Sequence, residues 1–302
     1  MGLAALAGLA VIACGGSATT AGPIQTRPSP PASLRHGRPK HIAVVLLENA
    51  EYSQIIGNRS APYINALARR DALATRSFAI THPSLPNYLA LTGGSTFGIR
   101  SDCTSCSVRG AGLAGQLDHK KISWKAYMEN LPSPCFRGTS AGEYVKRHDP
   151  FMYYRGLVKH RSDCRRIVPL TQLAADERAH ALPRFIWITP NLCHDEHDCP
   201  SSTADQFLRR LLPPLLADLG SNGVLFLTFD EGTTNSACCK LAAGGHIVTI
   251  AAGPGARKHK RFKTPVDHYS LLQTIEDLFG LRRLGAAKCA CTPSLAPMLK
   301  RR

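Results

Sequence analysis

Apolar residues in this chain are gathered into short unbroken runs, and each run stops abruptly at polar or turn-forming residues. His41-Ile42-Ala43-Val44-Val45-Leu46-Leu47, Phe185-Ile186-Trp187-Ile188-Thr189, Val224-Leu225-Phe226-Leu227-Thr228-Phe229 and Ile247 to Ala252 are of this kind. They are rich in β-branched and aromatic residues and lack the alternation of a half-exposed strand. They therefore predict strands buried on both faces, as in a parallel sheet. Ile122 to Met128 reads as a further strand with Trp124 and Tyr127 in the core, and Arg76 to Ile80 has strand character. Between the runs the spacing turns helical. Ser60 to Thr75 predicts an amphipathic helix capped by Ser60, with Pro62 in its first turn and Tyr63, Ile64 and Leu67 on one face. Ser201 to Leu219 predicts a long helix that Pro213-Pro214 break or kink and Gly220 ends. His268 opens a last helix whose Leu271, Leu272, Ile275, Leu278 and Phe279 form one face, closed by Gly280. The chain has 302 residues, room for one large α/β domain or two small ones.

The polar residues at the run ends carry the candidate chemistry, because ligands of open α/β sheets gather beyond the carboxyl ends of the strands. Glu48-Asn49 end the first run, a carboxylate and an amide suited to a hard cation. Asp230-Glu231 end the third. Adjacent carboxylates repel, and a cation keeps both charged. The second run leads into Asn191 and then into His194-Asp195-Glu196-His197-Asp198, bracketed by Cys193 and Cys199. Polar groups this dense at a strand end build a site more often than a solvated loop. Ser84 sits where Thr81-His82-Pro83 turn into a short apolar helix, with Pro86 in the first turn and Gly93-Gly94 at the end. A hydroxyl at a helix N-terminus lies beside free N–H groups and the positive end of the dipole, a seat for phosphate; the plainer reading of Ser84 is an N-cap. His246 opens a strand, and His268, standing alone at a helix start, reads first as structural. Tyr144 to His160 is aromatic and basic, either shaping a substrate entrance or packing as a loop with a solvated face.

Net charge is +16, from 37 basic and 21 acidic residues. That points to anionic partners, and the basic residues are dispersed without a nucleic-acid-binding motif. Phosphorylated small molecules or lipid headgroups are expected, and nucleic acid is not. Of the 11 cysteines, the ten other than Cys14 make an even set that fits disulfides in an oxidising compartment. Cys103-x-x-Cys106 and Cys289-x-Cys291 admit metal or redox readings, and no pairing is readable from spacing. Leu3 to Ala13 is a short apolar leader ending in Ala13-Cys14-Gly15. It resembles a bacterial lipobox, in which Cys14 is lipidated; a plain secretory signal is the alternative. Residues 15–39 read as a flexible tether and residues 40–302 as the folded domain.

Assembled, these stretches resemble the bacterial phosphoesterase family of phospholipases C and secreted acid phosphatases, within the alkaline-phosphatase-like superfamily. The matching residues are Glu48-Asn49, Ile55 through Asn65, His82-Pro83-Ser84-Leu85-Pro86-Asn87-Tyr88, Pro190-Asn191 with Asp195 through Asp198, Asp230-Glu231 and His268-Tyr269. The resemblance implies an α/β fold with a doubly wound, mostly parallel central sheet and helices on both faces. It implies a divalent metal held by Glu48, Asn49, Asp230 and Glu231, with Ser84 as a metal-activated nucleophile passing through a phosphoserine. Asn191, Asp195, His197 and His246 fall where relatives place a second metal. They would hold that metal or contact phosphate, and His197 would protonate the leaving alkoxide; His82 and His268 are phosphate-contact candidates. Ca²⁺, Mg²⁺ or Mn²⁺ suit the carboxylates, and added histidine shifts the preference toward Zn²⁺ or Fe. The expected protein is an exported acid phosphatase acting on monoesters, phosphoinositides among them. The competing readings are a phospholipase C and a non-catalytic phosphate- or metal-binding surface protein. No Gly-x-Ser-x-Gly surrounds Ser84, which argues against a Ser-His-Asp hydrolase.

Overall fold

The computed structural model describes residues 39–301 except Lys240, together with the first two residues. The expected leader, the lipidation site at Cys14 and nearly all of the tether lie outside the described residues.

β1 (Ile42–Leu47) has every side chain buried and occupies the middle of the main sheet. It is followed by α1 (Tyr52–Ile55), α2 (Pro62–Arg70), β2 (Ala72–Phe78), α3 (Ser84–Gly93), α4 (Gly112–His119) and β3 (Trp124–Met128). A small hairpin of β4 (Ser140–Ala141) and β5 (Tyr144–Val145) stands apart from the sheet and leads to short helices α5 (Arg155–Val158) and α6 (Arg161–Cys164). Then come β6 (Ile167–Pro169), α7 (Thr171–Arg178), β7 (Phe185–Thr189), α8 (Ser201–Asp218), β8 (Val224–Phe229), β9 (His246–Ala252), β10 (Lys260–Phe262), β11 (Val266–Asp267) and α9 (His268–Phe279). The main sheet runs β10-β2-β9-β8-β1-β7-β3-β6, with β11 extending β10's edge along β2. All its pairings are parallel except those of β9, which runs against both β2 and β8. The expected doubly wound α/β sheet is the one observed.

Alternate residues of β1 enter two cores. Ile42, Val44 and Leu46 pack with Leu85 and Leu89 of α3, Leu117 of α4 and Leu272 and Ile275 of α9. Ala43, Val45 and Leu47 pack with Ile64 and Leu67 of α2, Leu173 of α7 and Leu208, Leu212 and Leu215 of α8. Each buried Val, Leu or Ile contributes about 1.5–3 kcal/mol against exposure, so helices cover both faces.

Two helix boundaries differ from expectation. α2 stops at Arg70 rather than Thr75, because the sheet claims Ala72–Phe78: Leu73 pairs with Ile250, and the Ser77 and Thr249 hydroxyls meet at 2.7 Å. Ser60 does not cap α2. The N–H groups of Tyr63 and Ile64 donate instead to the buried Asp205 carboxylate of α8, at 3.1 and 2.8 Å. Pro213 and Pro214 do not interrupt α8. They and the residues four positions earlier, Arg209 and Arg210, are exposed, where water can take the carbonyls left without a donor. α9 is capped as its sequence suggests, with the Asp267 side chain accepting from Ser270 N–H at 2.9 Å and Gly280 in the left-handed region.

The ten cysteines form five bridges: Cys103–Cys106, Cys135–Cys164, Cys193–Cys199, Cys238–Cys239 and Cys289–Cys291. Only Cys135–Cys164 closes a long loop, with a sequence separation of 29. Replacing both of its cysteines by alanine is expected to lower unfolding free energy by about 3 kcal/mol. Urea denaturation without reductant checks this, and an unchanged midpoint contradicts it.

Candidate active site

The register of the central strands sets the site. β1 pairs with β8 so that Leu47 faces Phe229, and the ladder continues with Asp230 N–H donating to the Leu47 carbonyl at 2.8 Å. The next residues, Glu48 and Asp230, are thereby side by side and fully buried, with Glu231 following. Glu48 N–H donates to the Asp195 carbonyl at 2.8 Å, which brings the loop after β7 to the same edge. Because β9 is reversed, its first residue rather than its last lies at this edge, with His246 opposite Phe78. The turn before β9 packs on the turn after β8: a Cβ on Gly245 (φ +99°) would sit 2.6 Å from Gly232 Cα. Both glycines are required for that approach.

Ser84 is the first residue of α3, and its hydroxyl does not cap the helix. It donates to Glu48 Oε2 at 3.0 Å, with Glu231 Oε1 at 3.3 Å. Asn87 fixes the preceding turn: its Oδ1 accepts from Ile80 and Thr81 N–H at 2.9 and 3.1 Å, and its Nδ2 donates to the Thr81 carbonyl at 2.7 Å. One turn along α3, the Tyr88 hydroxyl donates to Glu48 Oε1.

His148, in the short 3₁₀ turn Lys146–His148, inserts into the acids. Its Nε2 is 3.3 Å from Glu48 Oε2 and its Nδ1 3.2 Å from Asp195 Oδ2, and its ring stacks on Tyr88 with centroids 5.5 Å apart. Sequence reasoning gave neither residue a role of its own: Tyr88 stood only within the matched motif, and His148 only within the segment from Tyr144 to His160. Tyr88 was findable, because the i, i+4 spacing from Ser84 puts the two on one helix face. A lone histidine in the aperiodic Tyr144–His160 segment left no such signal.

Burial, with neighbouring carboxylates adding to it, raises the Glu48, Asp195 and Glu231 pKa values well above the ordinary range, and burial raises that of Asp230. Burial, with Arg147 and His197, lowers that of His148 and keeps its imidazole neutral, the form that ligates metals. Asp195 Oδ2, Asp230 Oδ2 and His148 Nε2 are buried without a hydrogen-bond partner. Ligand atoms of Glu48, His148 and Asp195 lie within 4.8 Å of one another. Orphaned lone pairs on crowded carboxylates beside a neutral imidazole are a donor set that fits a divalent cation.

The other expected residues are distributed around this cluster. Asn49, in the left-handed region at φ 49°, joins it through its main chain, donating its N–H to Asp230 Oδ1 at 3.2 Å. His82 is hydrogen-bonded to Glu231 Oε2 at 2.6 Å and to the Thr234 carbonyl at 3.0 Å. His197 is held by Asp198 at Nδ1 (2.6 Å) and receives Arg147 Nη2 at Nε2 (3.3 Å); its own N–H donates to Asp195 Oδ1 at 2.8 Å. His268 donates to the Asp230 carbonyl, and burial lowers its pKa to about 4, so it positions the main chain as a neutral ring. Two side chains are committed elsewhere. Asn191 Oδ1 accepts from Cys193 and His194 N–H, and its Nδ2 donates to Asn130. His246 stacks on Tyr52 and Phe78 and bonds the Thr75 carbonyl at 3.0 Å. The group of candidate metal donors is thus Glu48, His148 and Asp195, and the Asn191 and His246 side chains make their contacts apart from it.

The model of the Phosphoesterase family matches residues 58–282. A phosphatidylinositol-3-phosphatase of Mycobacterium tuberculosis is 31% identical over 82% of this chain and 79% of its own length. An acid phosphatase of Aspergillus fumigatus is 32% identical over 81% of this chain, which spans only 56% of that protein. Among solved structures, an alkaline phosphatase superfamily protein of Vibrio parahaemolyticus aligns over 86% of this chain and 70% of its own, with TM-score 0.58 and 11% identity.

His148→Ala is expected to weaken divalent metal binding to the metal-free protein by about tenfold or more, whereas His246→Ala leaves it unchanged. Titration calorimetry with Mn²⁺ and Zn²⁺ measures both, and equal affinities for wild type and His148→Ala would remove His148 from the ligand set.

Proposed function

The chain belongs to the phosphoesterase family, and on that premise we propose that it is an exported, metal-dependent phosphatase that hydrolyses phosphate monoesters through Ser84. One observation carries this reading: the Ser84 hydroxyl is aimed at two buried carboxylates, Glu48 and Glu231, at the first turn of α3. A divalent cation held by Glu48, Asp230 and Glu231, with His148 and Asp195 alongside, would depress the hydroxyl pKa and neutralise phosphate charge. The imidazole among these donors favours Zn²⁺ or Fe over an all-oxygen choice such as Ca²⁺ or Mg²⁺.

The protein's own groups then divide the work. Ser84 Oγ attacks phosphorus in line, its proton passing to the Glu231 carboxylate, and the alcohol leaves. His197 in its protonated form, oriented by Asp198, gives that alkoxide a proton. The neutral ring next takes a proton from water, which attacks the phosphoserine and releases phosphate. Ser84 Oγ recovers its proton from Glu231, and the cycle closes. Tyr88 keeps Glu48 in place, and the α3 N-terminus faces the developing charge.

Monoesters of lipid headgroups, phosphoinositides among them, suit both the basic surface and the activity named for the mycobacterial relative. Export is supported by the pairing of all ten cysteines of the folded part, since such bridges persist in oxidising compartments. Lipidation of Cys14 would place the phosphatase at a membrane surface, and no helix among the described residues is long and apolar enough to cross one.

Ser84→Ala is expected to cut hydrolysis of p-nitrophenyl phosphate by about 10³-fold or more while far-UV circular dichroism is unchanged. Acid-quenched wild-type protein should carry phosphate on Ser84 during turnover, detected by peptide mass spectrometry. Near-wild-type hydrolysis by the alanine variant excludes the assignment. Chelation is expected to abolish turnover, and re-addition of a single divalent metal to restore it.

A further inference from the structure

We propose that Arg147 is the phosphate-recognising residue that gives this site its preference for monoesters over diesters, an inference that rests on Ser84 being the nucleophile. Arg147 precedes His148, whose ring is wedged between Glu48 and Asp195, so its main chain is anchored at the acids. Its side chain is only 25% exposed. The guanidinium reaches out between two loops: Nη2 donates to His197 Nε2 at 3.3 Å, and Nε stands 3.8 Å from Asp102 Oδ2. The other oxygen of Asp102 accepts the N–H of Leu85, the residue after Ser84, at 2.9 Å. The cation is thus suspended over the nucleophile's own helix terminus, from a different part of the chain than any of the acids.

Its present contacts use little of its capacity. A guanidinium has five N–H donors in a planar fork, and here one bond goes to an imidazole while the carboxylate is beyond hydrogen-bond range. A phosphate monoester dianion presents three equatorial oxygens, enough for two to meet that fork while the third faces the acidic cluster; a diester replaces one of the three with an alkoxy group and loses a charge. The neighbouring Lys146 does not substitute for it, because its ammonium bonds the Thr104 carbonyl at 2.7 Å and lies over the Tyr153 ring. Drawing the guanidinium onto phosphate also releases His197 Nε2 toward the leaving oxygen. The aromatic and basic segment 144–160 therefore supplies both a metal-side imidazole and a substrate-side cation.

The test compares wild type, Arg147→Ala and Arg147→Lys on p-nitrophenyl phosphate and on methyl p-nitrophenyl phosphate. It also measures binding of inorganic phosphate to each protein by calorimetry, which needs no turnover. Arg147→Ala is expected to lower monoester kcat/KM by about 100-fold and diester kcat/KM far less, and to weaken phosphate binding by about tenfold. Arg147→Lys, which keeps the charge but not the fork, should fall between, and melting temperatures exclude misfolding. An equal loss on both substrates, or unchanged phosphate binding in Arg147→Ala, overturns the proposal while leaving Ser84 as nucleophile. A wild-type protein that hydrolyses neither substrate overturns the functional reading and this one together.

Discussion

Mutual repulsion among four buried carboxylates is the constraint on which the rest of the molecule depends. Glu48, Asp195, Asp230 and Glu231 converge at one sheet edge, each pushed by burial toward its neutral form. No folding pathway would choose such a cluster for stability, since removing charges from water is costly unless they are neutralised or hydrogen-bonded. The surroundings respond accordingly. The Ser84 and Tyr88 hydroxyls, the main-chain N–H groups of Asn49 and His197, and the rings of His82 and His148 all turn toward these oxygens. Asp195 Oδ2 and Asp230 Oδ2 are nonetheless left without a hydrogen-bond partner. That residual demand for positive charge is why the edge fits a cation.

Much of this was legible because the acids stand at the ends of strands. An unbroken apolar run with Glu48 or Asp230 directly after it states both where the strand stops and which edge its last residue reaches. Ser84 was equally readable, since prolines and glycines mark the start and end of α3. Residues whose roles depend on contacts across the chain were not readable. His148 is brought in by a turn with no periodic pattern. The α2 terminus is satisfied by Asp205 from α8, so the local signal of Ser60 gives way to a buried carboxylate. His246 entered the candidate set through the family resemblance alone, and no local pattern announced that its ring would stack on Tyr52 and Phe78. Asn191 is spent organising the bend that delivers Asp195.

The disulfides sort by the same logic. Cys193–Cys199 spans the loop that carries Asp195 and His197, and Cys103–Cys106 follows Asp102 directly. Cross-links this short restrict the denatured chain less than a long loop would, so their main effect is on loop shape near the site. Cys135–Cys164, with the larger separation, ties the segment after β3 to the approach to β6.

The central place of β1 has a bearing on how the polypeptide matures. Its two partners, β7 and β8, emerge from the ribosome long after it does. Until then an intensely apolar ribbon has both hydrogen-bonding borders open, the situation in which nascent chains self-associate. No contiguous fragment ending before β8 contains the full set of acids, so the sheet's nucleus and its chemistry are completed in the same late event. Such high contact order predisposes to slow acquisition of the native state, and a partially made chain carries no assembled catalytic constellation.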